Sequence, residues 1–135
     1  MAALSVLLLF FSGLVLNAKC STLKMPSFAY AGDSVTIECN IDLGGLLATS
    51  IIFYKDNNEI YKFSREDGVG SSMSISSVPG VTLNMEKRDK PNEIELMNTN
   101  QRTSGVYSCK AKIDHTLMNQ ASLSGSLKII TRGGS

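Results

Sequence analysis

Thr103-Ser104-Gly105-Val106-Tyr107-Ser108-Cys109 carries more structural information than any other stretch of this chain. Alternation from Gly105 to Ile113 puts Tyr107, Cys109, Ala111 and Ile113 on one face, the mark of a half-buried strand. A tyrosine two residues before a cysteine places a ring and a sulfur side by side in the interior, with the hydroxyl free to bond backbone at the corner before the strand. Upstream, Ser34-Val35-Thr36-Ile37-Glu38-Cys39 alternates in the same way and ends on a second cysteine. Fourteen residues further on, Phe53 lies inside Thr49-Ser50-Ile51-Ile52-Phe53-Tyr54-Lys55, a run rich in β-branched and aromatic residues.

Two cysteines in different strands with an aromatic residue between them are the parts of an immunoglobulin-like sandwich. There a disulfide ties two sheets together and a ring packs on it. The expected class is all-β, with one inter-sheet disulfide, Cys39–Cys109, and Phe53 and Tyr107 in the core. The remaining pattern fits. Asp56-Asn57-Asn58 is a tight polar turn that makes a hairpin with Glu59-Ile60-Tyr61-Lys62-Phe63. Arg65 to Ser77, Gly- and Ser-rich, reads as a mobile connection. Val81 to Glu86, Glu93 to Met97 and Ser122 to Ile130 read as further strands, eight or nine in all, with no helix. The extra hairpin from Ile51 to Phe63 and the separation of about 70 residues between the cysteines favour the variable type over the shorter constant type. Phe53 stands where most such domains have Trp, and Thr103 where an Asp is usual, so the customary Arg–Asp pair is missing.

The amino terminus belongs to something else. Ala2 to Leu16 is almost uninterrupted apolar sequence, and as a helix its fifteen residues rise only about 22 Å, short of a bilayer core of roughly 30 Å. Ala18 and Cys20 are the small residues of a cleavage site before Ser21, so residues 1–20 are expected to be a secretory signal peptide and 21–135 the domain. A retained signal anchor is the alternative. Removal of Cys20 leaves an even pair of cysteines, suited to an oxidising, extracellular compartment. The chain holds 13 Lys+Arg and 12 Asp+Glu. Lys19 leaves with the signal, and the balance becomes 12 against 12, which gives no reason to expect nucleic acid or an anionic membrane as partner. No hydrophobic tail follows Ile129-Ile130, so no membrane anchor is expected, and there is no Asn-x-Ser/Thr acceptor.

Several of these residues also resemble the beaten-path family of arthropod neuronal immunoglobulin proteins. Gly32-Asp33-Ser34-Val35-Thr36-Ile37-Glu38-Cys39 with Asp42-Leu43 resembles that family's second strand and the loop after it. Phe53-Tyr54-Lys55-Asp56 with Glu59-Ile60-Tyr61-Lys62-Phe63 is similar to its central hairpin, Val78-Pro79-Gly80-Val81 to its Pro-Gly step, and Thr103 to Lys110 to its Tyr-x-Cys strand. The likeness covers about residues 30–113. It implies a guidance or adhesion ligand that binds sidestep-type cell-surface receptors of the same superfamily. A soluble effector or decoy in immune recognition is the other reading, and a fragment of a longer protein a third.

Strand parity marks a candidate binding face. With Ile51 and Phe53 inward, Ile52 and Tyr54 point outward; with Tyr107 and Cys109 inward, Lys110 and Lys112 do too. Together with Tyr61 and Phe63 from the hairpin they form an expected apolar-aromatic patch rimmed by lysines, the composition of a protein–protein contact. Scattered apolar residues on a half-covered sheet are the plainer explanation. No catalytic constellation, cofactor or metal is expected. His115 is alone in a turn, Glu66-Asp67 sits in a polar loop, and Gly44-Gly45 and Gly68/Gly70 are loop glycines.

Overall fold

The computed structural model describes residues 21–42, 48–66, 68, 70–86, 90–113 and 120–131, with the backbone alone for 120 and 121. The amino-terminal apolar segment with Cys20, the Gly44-Gly45 loop, Asp67 and His115 lie outside the described residues.

Nine strands are present among the described residues: β1 Thr22–Lys24, β2 Phe28–Tyr30, β3 Val35–Asn40, β4 Ser50–Lys55, β5 Asn58–Glu66, β6 Gly70–Ile75, β7 Glu93–Leu96, β8 Gly105–Lys112 and β9 Gln120–Ile130. They form a three-stranded sheet, β1-β3-β7, and a six-stranded sheet, β2-β9-β8-β4-β5-β6. Pro26 lies between β1 and β2, where the chain leaves one sheet for the other. A residue without an N–H suits that gap because it cannot continue a ladder. β2 then runs parallel to β9, Phe28 opposite Lys128 and Tyr30 opposite Ile130.

The inner faces meet in a core of Val35, Ile37, Ile51, Phe53, Ile60, Ile94, Leu96, Tyr107, Leu127 and Ile129 around the Cys39–Cys109 disulfide. That bond joins β3 of one sheet to β8 of the other, across a sequence separation of 70. Phe53 stands directly opposite Cys109 in the ladder and is 1% exposed, as is Tyr107.

The Tyr107 hydroxyl donates to the Thr103 carbonyl at 2.5 Å. Burial holds this phenol well above the ordinary tyrosine range, with the Asp56 carboxylate adding to it. Thr103 ends a 3-10 turn, Gln101–Thr103, and is fully buried. Its hydroxyl accepts from the Asn100 N–H at 2.9 Å and donates to the Gly80 carbonyl at 2.7 Å. Neutral hydrogen bonds therefore occupy the place where the customary ion pair is missing.

Two segments depart from expectation. Residues 70–75, read as a mobile connection, form β6, laddered to β5 from Tyr61–Ile75 to Glu66–Gly70. Ser and Gly are poor strand formers, so only the alternation of Met73 and Ile75 hints at it. Conversely, Val81 to Glu86 is no full strand. It touches β7 by one bridge, Leu83 to Leu96, with Asn84 N–H donating to Glu95 O and Met97 N–H to Thr82 O. The Asn84 side chain then accepts from the Glu86 N–H at 3.1 Å and turns the chain away.

Candidate functional site

The site is built on the outward face of the six-stranded sheet. β4 and β5 are joined by a two-residue turn, Asp56-Asn57, both with positive φ (48° and 68°), which is the backbone of a type I′ hairpin. Asp56 is fixed on both sides. Its carboxylate accepts from Val106 N–H at 2.9 Å and from Lys55 Nζ at 3.3 Å, while its own N–H donates to Val106 O. The backbone bond from Val106, and then the ammonium of Lys55, lower its pKa. This clamps the hairpin to β8 and sets the register of the face.

From that turn the ladder runs Lys55–Asn58, Tyr54–Glu59, and then shifts: Phe53 pairs with Tyr61, not with Ile60. Ile60 is the extra residue of a β-bulge, and it turns into the core at 0% exposure. One extra residue inverts the parity of everything after it. Tyr61 and Phe63 therefore point inward, packed in the core at 7% and 9% exposure, and their expected place on the binding face is corrected. The Tyr61 ring meets Phe53 edge-on at 5.8 Å. The same inversion brings Lys62 outward, opposite Ile52, a residue that unbroken strand parity omits from the patch.

The face consequently has a different composition. Ile52 lies between Lys62 and Lys110 in the two flanking ladders. It stands outside the core cluster yet is only 5% exposed, so it forms a floor and not the exposed knob expected. Lysine stems beside an apolar side chain cover it while their ammonium groups stay in water. Tyr54 is half-buried next to it, with Lys110 Nζ 5.3 Å from the ring centroid. Burial, followed by the Glu59 carboxylate, raises the Tyr54 pKa. Lys112 lies further along β8 and Val106, 48% exposed, at its other end. Ser122, Ser124 and Ser126 of β9 are exposed beside them.

Charge is segregated between the two sheets. The outer face of the three-stranded sheet carries Glu38 directly opposite Glu93, with Glu95 opposite Thr36 and Lys24 opposite Glu38. The six-stranded face carries Lys62, Lys110, Lys112 and Lys128 against Glu59 and Glu66. Among the described residues no group of His, Cys, Asp or Glu is arranged to hold a metal, and no helix is long and apolar enough to cross a membrane.

The strand order, the parallel β2–β9 edge, the disulfide and the tyrosine corner define an immunoglobulin-like sandwich of the variable type. Solved structures with this fold include the first domain of VCBP3 from Branchiostoma floridae, at TM-score 0.58 and 15% identity over 81% of this chain and 96% of that one. Tim-1 is similar at 0.59 and 15% over 81% and 94%, and CD84 at 0.54 and 12% over 78% and 95%. At such identities the likeness is one of fold. No protein-family model and no curated protein sequence matches the chain.

Proposed function

We propose that this chain is an extracellular recognition module and not an enzyme, cleaved from a signal peptide at residues 1–20 and binding a protein partner through the outward face of β4, β5 and β8. The observation that carries the reading is the Ile52–Tyr54 floor bordered by Lys62, Lys110 and Lys112. An apolar and aromatic centre with a charged rim is the anatomy of a protein contact. The finer reading is a cell-recognition ligand of the beaten-path kind, engaging a sidestep-type immunoglobulin receptor. The resemblance over residues 30–113, its hairpin above all, supports it.

The test is a binding screen of the oxidised Ser21–Ser135 domain against extracellular immunoglobulin proteins, sidestep-type receptors included. Tyr54→Ala and Lys110→Glu should each weaken the specific complex at least about tenfold, the scale of a central contact residue. A complex indifferent to both variants moves the contact to another face. A folded domain that binds none of these receptors, but does bind microbial surface molecules, replaces the guidance reading with that of a soluble effector.

A further inference from the structure

β6 closes the six-stranded sheet on one side, and only β5 pairs with it among the described residues. All six of its residues are exposed. Natural sheets blunt such an edge with charge, proline or a bulge, because a bare row of N–H and C=O groups is a template for another strand. Here the ladder from Tyr61–Ile75 to Glu66–Gly70 is regular, and β6 has neither charge nor proline. Residues 68–85 carry no charged side chain at all, in a chain that is 19% charged.

The inward side of this edge is also uncovered. Met73 and Ile75 share the core-facing side with Phe63 and Tyr61 but remain 39% and 43% exposed. Among the described residues the opposite sheet ends at β7, and the segment beyond it is tied to β7 by the Leu83–Leu96 bridge and by the Asn84 side-chain amide donating to the Glu95 carboxylate. What remains is a shallow open cleft, with Tyr61, Met73, Leu83, Met85 and Ile94 among its walls. The Tyr61 hydroxyl sits 3.4 Å from Met73 Sδ, so the thioether is held at the mouth.

We propose that β6 pairs antiparallel with β6 of a second copy of this chain. Open backbone groups call for a strand as occupant, and the uncharged edge favours a copy of itself, since nothing on it repels that copy or selects an oppositely charged stranger. A two-fold axis normal to the sheet keeps inward residues beside inward residues, setting Met73 next to its own counterpart and covering Ile75 on both sides. The six-stranded sheets become continuous, and both outward faces point the same way. A contact this small belongs to the weak class, so association is expected from about tens of micromolar upward.

Sedimentation equilibrium of the oxidised chain, from about ten micromolar to about half a millimolar, tests this. The expected result is a monomer–dimer equilibrium that Met73→Lys weakens at least about tenfold by placing two ammonium groups at the axis, while Val106→Lys, at a similarly exposed site on β8, leaves it unchanged. Met73→Cys, which avoids adding charge, should form a disulfide-linked dimer under mild oxidation, and Val106→Cys should not. A chain monomeric throughout, or a dimer broken by Val106→Lys and not by Met73→Lys, overturns the proposal. So does a correctly folded Met73→Cys variant that never cross-links.

Discussion

Thr103 shows how one buried hydroxyl substitutes for a charge pair. It accepts from Asn100 and donates to Gly80, and its carbonyl receives the Tyr107 hydroxyl, so three segments meet on one residue that has no exposure. Thr103→Val preserves shape but leaves the Gly80 carbonyl and the Asn100 N–H without that partner. The expected cost is about 2–3 kcal/mol, read from urea denaturation of the oxidised domain, with the midpoint lowered and the slope unchanged. A loss below about 0.5 kcal/mol would mean that water reaches those groups. Thr99, four residues earlier, joins two other segments in a similar way. Its hydroxyl donates to the Asp33 carbonyl at 2.7 Å and accepts from Gly32 N–H at 3.1 Å, linking the turn before β3 to the chain after β7. Composition shows none of this, because a threonine in a loop and a threonine in a buried junction read alike.

The Pro79-Gly80 step is fixed from outside its own segment. Gly80 has φ of +81°, and a Cβ there would collide with the backbone carbonyl of Arg102. Gly80→Ala combines a left-handed backbone with a collision against backbone, so a loss of more than about 1 kcal/mol is expected in thermal unfolding. Gly32→Ala is the comparison: it shares the positive φ, at 92°, but meets nothing within 4 Å, and should lose less. Strands carried by alternation and β-branched residues, β3, β4, β7 and β8, are legible in the sequence together with the hairpin turn. Those formed by ladder geometry are not: β1, β2 and β6 are short or Ser/Gly-rich, and their partners supply what their side chains lack. The bulge at Ile60 is the instructive case. Nothing in Glu59-Ile60-Tyr61 announces an extra residue, yet it moves two aromatic side chains from the expected face to the core and brings Lys62 out in their place.

The domain as a whole depends on a single covalent tie between its sheets. Replacing Cys39 and Cys109 together by Ala frees a loop of 70 residues in the unfolded chain, and a loss of about 4 kcal/mol is expected in chemical denaturation. If the double variant stays within about 1 kcal/mol of the parent, packing of the core alone holds the sheets together. The tie itself is readable from two cysteines, a tyrosine and an aromatic residue between them. Charge at this level is not. A balance of 13 Lys+Arg against 12 Asp+Glu describes the sum, whereas the fold sends Lys62, Lys110 and Lys112 to one outer face and Glu38, Glu93 and Glu95 to the other. The parallel edge has a mechanical meaning as well. β2 and β9 lie side by side and run in the same direction. Tension that arrives ahead of β2 and departs beyond β9 therefore loads their shared hydrogen bonds in shear, all together, and does not peel them apart one by one. A pull on the chain beyond β9 would therefore meet the last strand locked in place.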